Sequence, residues 1–550
     1  MISGPVLKAI AAASALALTL PLSAVAHDDA PAKTTIPEVT PVVETAQGKV
    51  QGFKDNGIQE YLGLRYAAPP IGELRFQPPE PPESWDGIYD ATRMGAPAMQ
   101  MYTPSGTRVT EFTRQIQTIF PTDGETKIDN EDALFLNVWT PGADEEKRPV
   151  MVWFHGGGYA YGSGNWPAYD GRNLAEKGDV VVVTVNHRLN AFGYMYLADR
   201  FGDDFAKSGN LGNLDLIASL EWVEENIEAF GGDPDNVTIM GESGGGSKVS
   251  HLMATPAADG LFDKAIVQSG PGVTAVSIED AIKTADAVLD QAGIETAEDL
   301  MTIPADDLLQ AAFRAQEEMG GIFAGRLELR PVADGVVLPG DPFLPSAPEQ
   351  SSDVPLMIGW NKDEMTLFVA SQPWFGMLTD GMLDAMASSF GEAGPALVEN
   401  YRGLLGEDAT PTDVAVRAMG TRFIQGSYII ADQKARQEDA PVYMYRLTYE
   451  TPVSGGILKT PHTLEIPFMF DNVEESRVLV GPGAAPVQLG EMMSDAWISF
   501  ARTGTPTSDL LPDWQPYSLE DRMVMEFNVE PEMVSDPEKG AREILSVSGE

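Results

Sequence analysis

No cysteine occurs anywhere in the 550 residues. That excludes a disulfide framework, a thiolate nucleophile, cysteine-ligated zinc and a lipid-modified N-terminal cysteine. A chain this long has a core large enough to stand without disulfides. Basic residues are scarce as well: 36 Lys plus Arg stand against 82 Asp plus Glu, for a formal net charge of −46. So negative a surface repels phosphate backbones and anionic lipid heads, which argues against nucleic acid and membrane-surface partners. Histidine is rare, with five in the chain. After residue 26 no stretch is long and apolar enough to span a bilayer.

What is present begins with an apolar leader. Lys8 precedes an apolar run from Ala9 to Leu20, and Ala24-Val25-Ala26 is an A-x-A cleavage site. The run is rich in small residues and is broken by Pro21, which disfavours a retained anchor. Residues 1–26 are therefore expected to be a signal peptide, removed from a secreted or periplasmic protein with no membrane contact after cleavage. Residues 27–47 are polar and proline-containing and read as a linker. Residues 48–550 carry no repeat and no convincing internal linker, and read as one large domain with long insertions. Residues 101–130 have weak periodicity and many polar residues, and read as a long surface loop.

Several short apolar runs have the length and composition of buried strands: Arg148 to Phe154, Val180 to Val185, Val237 to Met240, Lys264 to Gly270, Pro355 to Trp360 and Val442 to Leu447. Between them lie helical patterns. From Asn213 to Phe230, apolar residues recur at Leu214, Ile217, Leu220, Val223, Ile227 and Phe230, one face of a helix. Residues 275–350 read as helix and loop, and residues 376–440 as helical with acidic faces. Strands alternating with helices predict an α/β fold: a large, mostly parallel sheet flanked by helices.

One of these strands runs into Gly241-Glu242-Ser243-Gly244-Gly245, a G-x-S-x-G motif followed by a helical pattern. Strand, sharp turn and helix are the setting of a nucleophile elbow, in which the serine is lifted off the sheet edge at a helix N-terminus. Chance matches occur in a chain with 54 glycines, and the strand-turn-helix frame is what raises the motif above chance. Gly241 to Lys248 also reads G-x-x-x-x-G-S-K. A phosphate loop needs the lysine directly after the second glycine; here the order is reversed, and that reading is rejected.

A nucleophilic serine needs oxyanion donors, a base and an acid. In an α/β-hydrolase one donor is the N–H after the nucleophile, here Gly244, and others come from a glycine-rich loop after an earlier strand. His155-Gly156-Gly157-Gly158 follows such a strand, and Gly157 and Gly158 are the expected donors. A dinucleotide loop is excluded, because Tyr161 stands at the last glycine position of that fingerprint.

The base follows by elimination. His27 is at the mature terminus, His155 belongs to the glycine loop and His187 ends a strand. His251 lies about two turns along the elbow helix, on the order of 12 Å from Ser243. His462 remains, and it alone lies late enough for the chain order serine, acid, histidine. The acid must lie between Ser243 and His462. Asp363 and Glu364 both follow a strand, and local reasoning does not choose between them. Asp334 looks like a plain turn residue.

These motifs resemble those of the type-B carboxylesterases, the family of cholinesterases and bacterial para-nitrobenzyl esterases. The resemblance runs from about Gly48 to Tyr517. It is carried by Glu131 to Trp139, His155 to Gly158, Gly241 to Gly246, Gly359 to Glu364 and His462 to Phe470. It implies the α/β-hydrolase fold and a serine carboxylesterase acting on small-molecule esters without cofactor or metal. It implies Glu364 as the acid, supports Ser243, His462, Gly157, Gly158 and Gly244 in their roles, and places Ser269 near the triad. Glu242, beside the nucleophile, reads equally as a carboxylate facing the site and as a satisfied structural group.

The chain departs from the family pattern in four places. Ala98 and Ala133 stand where a cysteine pair is usual. Gly244 replaces the usual alanine, and Thr463 a common glycine. Residues 101–130 contain no tryptophan, which speaks against a choline ester. Two alternatives belong to other classes: a lipase, for which the polar 101–130 loop is a poor lid, and a catalytically dead binding module, which typically lacks the nucleophile present here. Tyr159, Tyr161, Trp360 and Phe468 are candidate walls of the site by adjacency.

Overall fold

The strand Arg148–Phe154 shows why the central sheet forms. All seven residues are buried, and alternate side chains go to opposite faces. Val150, Val152 and Phe154 belong to one core with Leu216, Leu220 and Val223 of the helix Leu211–Asn226. Met151 and Trp153 belong to another with Trp497 and Phe500 of the helix Ala484–Thr503. The same alternation runs through Val181–Val185, where Val181, Val183 and Val185 share the first core and Val182 the second. Strands covered on both faces read as continuous apolar runs, the mark of a parallel sheet between two helical layers.

The computed structural model describes residues 38–101, 111–121, 128–318 and 327–548. Residues 1–26 and His27 lie outside them. In chain order the strands are β1 (Glu38–Val39), β2 (Val43–Glu44), β3 (Lys49–Gln51), β4 (Phe53–Asp55), β5 (Ile58–Arg65), β6 (Ile88–Asp90), β7 (Phe135–Thr140), β8 (Arg148–Phe154), β9 (Val181–Val185), β10 (Gly232–Glu242), β11 (Lys264–Gln268), β12 (Leu356–Asn361), β13 (Val442–Leu447), β14 (Met523–Phe527) and β15 (Glu532–Ser535). Among the described residues they form a 12-stranded sheet, ordered β1-β4-β5-β7-β9-β8-β10-β11-β12-β13-β14-β15, and a 3-stranded sheet, β2-β3-β6.

From β9 to β14 neighbouring strands are parallel, with β8 central to β9 and β10. The N-terminal strands and the final hairpin are antiparallel. The sheet is mostly parallel, as expected, and its antiparallel edges follow from connection length. β4 and β5 are joined by Asn56 and Gly57 alone, with φ of 49° and 99°, and two residues close a hairpin but not a crossover.

Two expectations change. The stretch read as a linker up to residue 47 already contributes β1 and β2, so the folded unit includes residues from Glu38 on, ahead of Gly48. The stretch read as a loop over 101–130 contains a helix, Glu111–Ile116, while residues 102–110 and 122–127 lie outside the described ones. The helix Leu211–Asn226 forms as its apolar spacing predicts, with more than one face buried. Leu214 is half buried, whereas Asp215 is fully buried and takes the Arg188 guanidinium at 2.6 Å. That pair ties the exit of β9 to the helix. Ala98 and Ala133, at the family's cysteine positions, share a small buried cluster with Leu189. Among the described residues no helix is long and apolar enough to cross a membrane.

Candidate functional site

The carboxyl ends of the parallel strands converge on one place, the usual position for a site in an open α/β sheet. β8 ends in the glycine loop, β10 in Ser243, β11 in Ser269 and β12 in Asn361 to Glu364. The loop after β13 carries His462.

Ser243 sits between β10 and the helix Gly244–Met253, the elbow helix. Its φ and ψ are 56° and −121°, a strained conformation for a side-chain-bearing residue. Two hydrogen bonds over-determine it: its N–H donates to Gln268 O at 2.8 Å and its C=O accepts from Ser247 N–H at 3.1 Å. Ser243 keeps some solvent exposure, unlike its buried neighbours Glu242 and Gly244.

His462 Nδ1 lies 2.5 Å from Glu364 Oε2. Glu364 is itself held: its Oε1 accepts from Asn361 N–H at 2.8 Å, and its carbonyl accepts from His462 N–H at 3.3 Å. Of the two carboxylates that local reasoning left open, it is Glu364 that meets the imidazole. Asp363 is buried, but its Oδ2 has no hydrogen-bond partner among the described residues. Asp334 does what a turn residue does, accepting from the N–H groups of Val336, Val337 and Leu338.

On the far side of the ring, His462 Nε2 lies 3.1 Å from Glu242 Oε1. The contact has ion-pair distance without hydrogen-bond geometry, and neither atom has a hydrogen-bond partner among the described residues. Because Glu242 directly precedes Ser243, Nε2 faces the elbow. Phe368 and Phe423 pack against the imidazole, with ring centroids 5.1 and 5.2 Å away.

A third carboxylate completes the cluster. Glu465 accepts from Ser269 Oγ–H at 3.1 Å and from the Asn361 side-chain amide. Ser269 thus sits beside the cluster, hydrogen-bonded to Glu465. Burial pushes Glu242 well above the usual carboxylate range, and pushes Glu465 up to about 7. Burial alone would lower His462, but Glu242 and Glu364 outweigh it and hold the imidazole up to about 9. A protonated imidazole beside ionised Glu242 and a neutral imidazole beside protonated Glu242 carry the same number of protons, so the two titrate as a pair.

The glycine loop packs against the elbow. A β-carbon on Gly156 would lie 3.4 Å from Ser243 Cβ, and one on Gly244 only 2.1 Å from Gly158 O. Gly157 and Gly158 take φ of 85° and 64°, values that L side chains rarely adopt. Among the described residues, none of the N–H groups of Gly157, Gly158 and Gly244 donates to a backbone acceptor outside regular elements.

The chain matches the sequence pattern of the "Carboxylesterase family" over residues 39–544. The chain belongs to that family. It is 38% identical over 510 residues to the para-nitrobenzyl esterase of Bacillus subtilis (strain 168), covering 92% of this chain and 98% of that protein. It is 32% identical over 493 residues to the phenmedipham hydrolase of Pseudarthrobacter oxydans, covering 88% and 94% respectively. Among solved structures, a Geobacillus stearothermophilus carboxylesterase at pH 6.2 superposes with a TM-score of 0.79 at 38% identity, over 92% of this chain and 99% of that one. The protein is accordingly a carboxylic ester hydrolase of the α/β-hydrolase fold.

Some members of the cluster were not singled out from the sequence. Glu465 stands three residues after His462, and Asn361 ends β12; each is a polar residue at a strand end or in the histidine loop, the one signal available. Phe368 and Phe423 carried no signal. Of the aromatics proposed as walls, Trp360 and Phe468 are fully buried, packed on Tyr428 and Tyr449 at 5.5 and 5.8 Å. They are core. Tyr159 is buried beside the glycine loop, and Tyr161 is 40% exposed.

Proposed function

We propose that the protein is a serine carboxylesterase whose nucleophile is Ser243, and the observation that carries the reading is the 2.5 Å contact of His462 Nδ1 with Glu364. In the chemistry this supports, Glu364 holds the imidazole with Nε2 toward Ser243 and stabilises the imidazolium. His462 takes the serine proton as Oγ attacks the ester carbonyl. The N–H groups of Gly157, Gly158 and Gly244 bind the tetrahedral oxyanion; a single such donor is worth about 3 kcal/mol in other enzymes. His462 then protonates the leaving alcohol, and a water activated by the same ring clears the acyl-enzyme.

Glu242 adjusts the base. Neutral imidazole is the form that accepts the proton, so the acid limb of kcat/KM follows the imidazole's protonation. Glu242 favours the protonated ring, so removing its charge moves that limb to lower pH. Glu242→Gln is expected to shift it down by on the order of one unit, read from the pH profile of kcat/KM. A limb that stays in place or moves up contradicts the coupling.

The substrates are small carboxylic esters. Aromatic rings beside His462 favour an apolar group there, and the named relatives act on para-nitrobenzyl esters and on phenmedipham. The A-x-A leader supports export of the mature chain. Hydrolysis of a para-nitrophenyl ester series, compared with emulsified long-chain triglyceride, tests the class. Turnover of the short soluble esters without triglyceride hydrolysis is expected; preference for the emulsion would favour a lipase.

A further inference from the structure

One buried cation has no part in the chemistry above. Lys248, five residues after the nucleophile in the elbow helix, has no solvent exposure. Its Nζ donates to His155 O at 2.8 Å and lies 5.6 Å from the centre of the Tyr159 ring. Among the described residues no carboxylate pairs with it. Taking an ammonium out of water unpaired is expensive, and an alkyl side chain would fill the same space without that cost.

His155 O is the last carbonyl before the three glycines, and Tyr159 follows them directly. The elbow helix holds that end too: Tyr159 O–H donates to Ser247 Oγ at 2.7 Å, and His251 Nδ1 lies 2.7 Å from Ser247 O and 3.3 Å from the Tyr159 hydroxyl. Two adjacent residues of the elbow helix therefore grip both ends of the stretch Gly156-Gly157-Gly158. The stretch has no side chains of its own to pack, and two of its residues take positive φ. Left to itself such a segment samples many conformations, whereas an oxyanion site works only if its donors are aimed before the reaction starts.

We propose that Lys248 is a positioning residue for the oxyanion loop, holding the His155 carbonyl to the helix that carries Ser243 so that the nucleophile and its N–H donors move as one body, with Ser247 as the second grip through Tyr159. The proposal rests on the esterase reading. Its direction explains why the chain keeps a lysine in a dry site: a hydrogen bond from the elbow helix to a carbonyl needs a long donor, and an apolar residue offers none. Burial holds the Lys248 ammonium down to about 7, and the amino group donates to the carbonyl in either protonation state.

The test compares wild type, Lys248→Met and Ser247→Ala on para-nitrophenyl butyrate, together with inhibition by a trifluoromethyl ketone that forms a tetrahedral adduct on serine. Loss of aim weakens the transition state and leaves ground-state binding intact. Lys248→Met is expected to lower kcat by roughly 10- to 100-fold with KM within a factor of about 3. Affinity for the ketone should fall by the same factor as kcat. Ser247→Ala is expected to act in the same direction with a smaller effect, and it carries the test if Lys248→Met does not fold. Unchanged kcat in the folded variants overturns the proposal, as does a loss confined to KM or a kcat loss without weaker ketone binding. Failure of the esterase reading is distinct: wild type itself would then fail to hydrolyse the ester.

Discussion

Ser243→Ala is expected to lower kcat on para-nitrophenyl butyrate by about 10⁴-fold or more, and His462→Ala to do the same, with KM little changed in both. The size follows from what each variant removes. Without Oγ no acyl-enzyme forms. Without the imidazole, the hydroxyl at the elbow is a poor nucleophile, because nothing within reach takes its proton. Glu364 and Glu242 do not substitute: Glu364 faces Nδ1, and in His462→Ala the imidazole that favours ionised Glu242 is gone, so burial favours its neutral form. The two losses are not additive. The double variant is expected to resemble either single one, because the pair acts as a unit. Steady-state kinetics on the three variants check this, and a double variant slower by the product of the two factors would contradict it.

Gly244→Ala is expected to lower kcat by about 10²-fold, although alanine is usual at this position in the family the sequence resembles. A β-carbon there would meet Gly158 O at 2.1 Å and Gly158 Cα at 2.6 Å. The obstacle is backbone on the loop that carries two of the three expected donors. The elbow helix has no freedom to retreat, because Gly245 is pressed just as closely against Phe154 O. The loop must therefore give way, and Gly157 and Gly158 lose their aim together. Thermal stability is expected to fall less than activity. Wild-type turnover in a folded Gly244→Ala protein would show that the loop yields without disturbing its donors.

The parts of this arrangement that sequence reasoning reached are those set by local chemistry. β8 and β13 match their apolar runs residue for residue, since a strand buried on both faces leaves a continuous apolar signature. The elbow was legible because strand, glycine turn and helix are contiguous. His462 was reached because the chain has so few histidines. What escaped depends on chain segments far apart in sequence. Asp363 and Glu364 share a strand end and a charge; local reasoning does not separate them, the family resemblance points to Glu364, and in the fold it is Glu364 that meets a loop nearly a hundred residues later. Glu465 joins the cluster through Ser269, 196 residues away. Lys248 was set aside with the false phosphate loop; its partner is the carbonyl of a residue 93 positions earlier. The antiparallel start of the sheet is a different case. Asn56-Gly57 is a strong hairpin signal, and its turn chemistry was readable in the chain itself.

In the proposed chemistry, catalysis passes through a covalent acyl-enzyme on Ser243. Incubation of the purified protein with diisopropyl fluorophosphate, followed by intact-mass and peptide mass mapping, tests it most directly. A single adduct per chain is expected, located on Ser243, with activity lost in step with labelling. Labelling is expected to slow by orders of magnitude in His462→Ala. An adduct on another residue, or full labelling of Ser243→Ala, would contradict it.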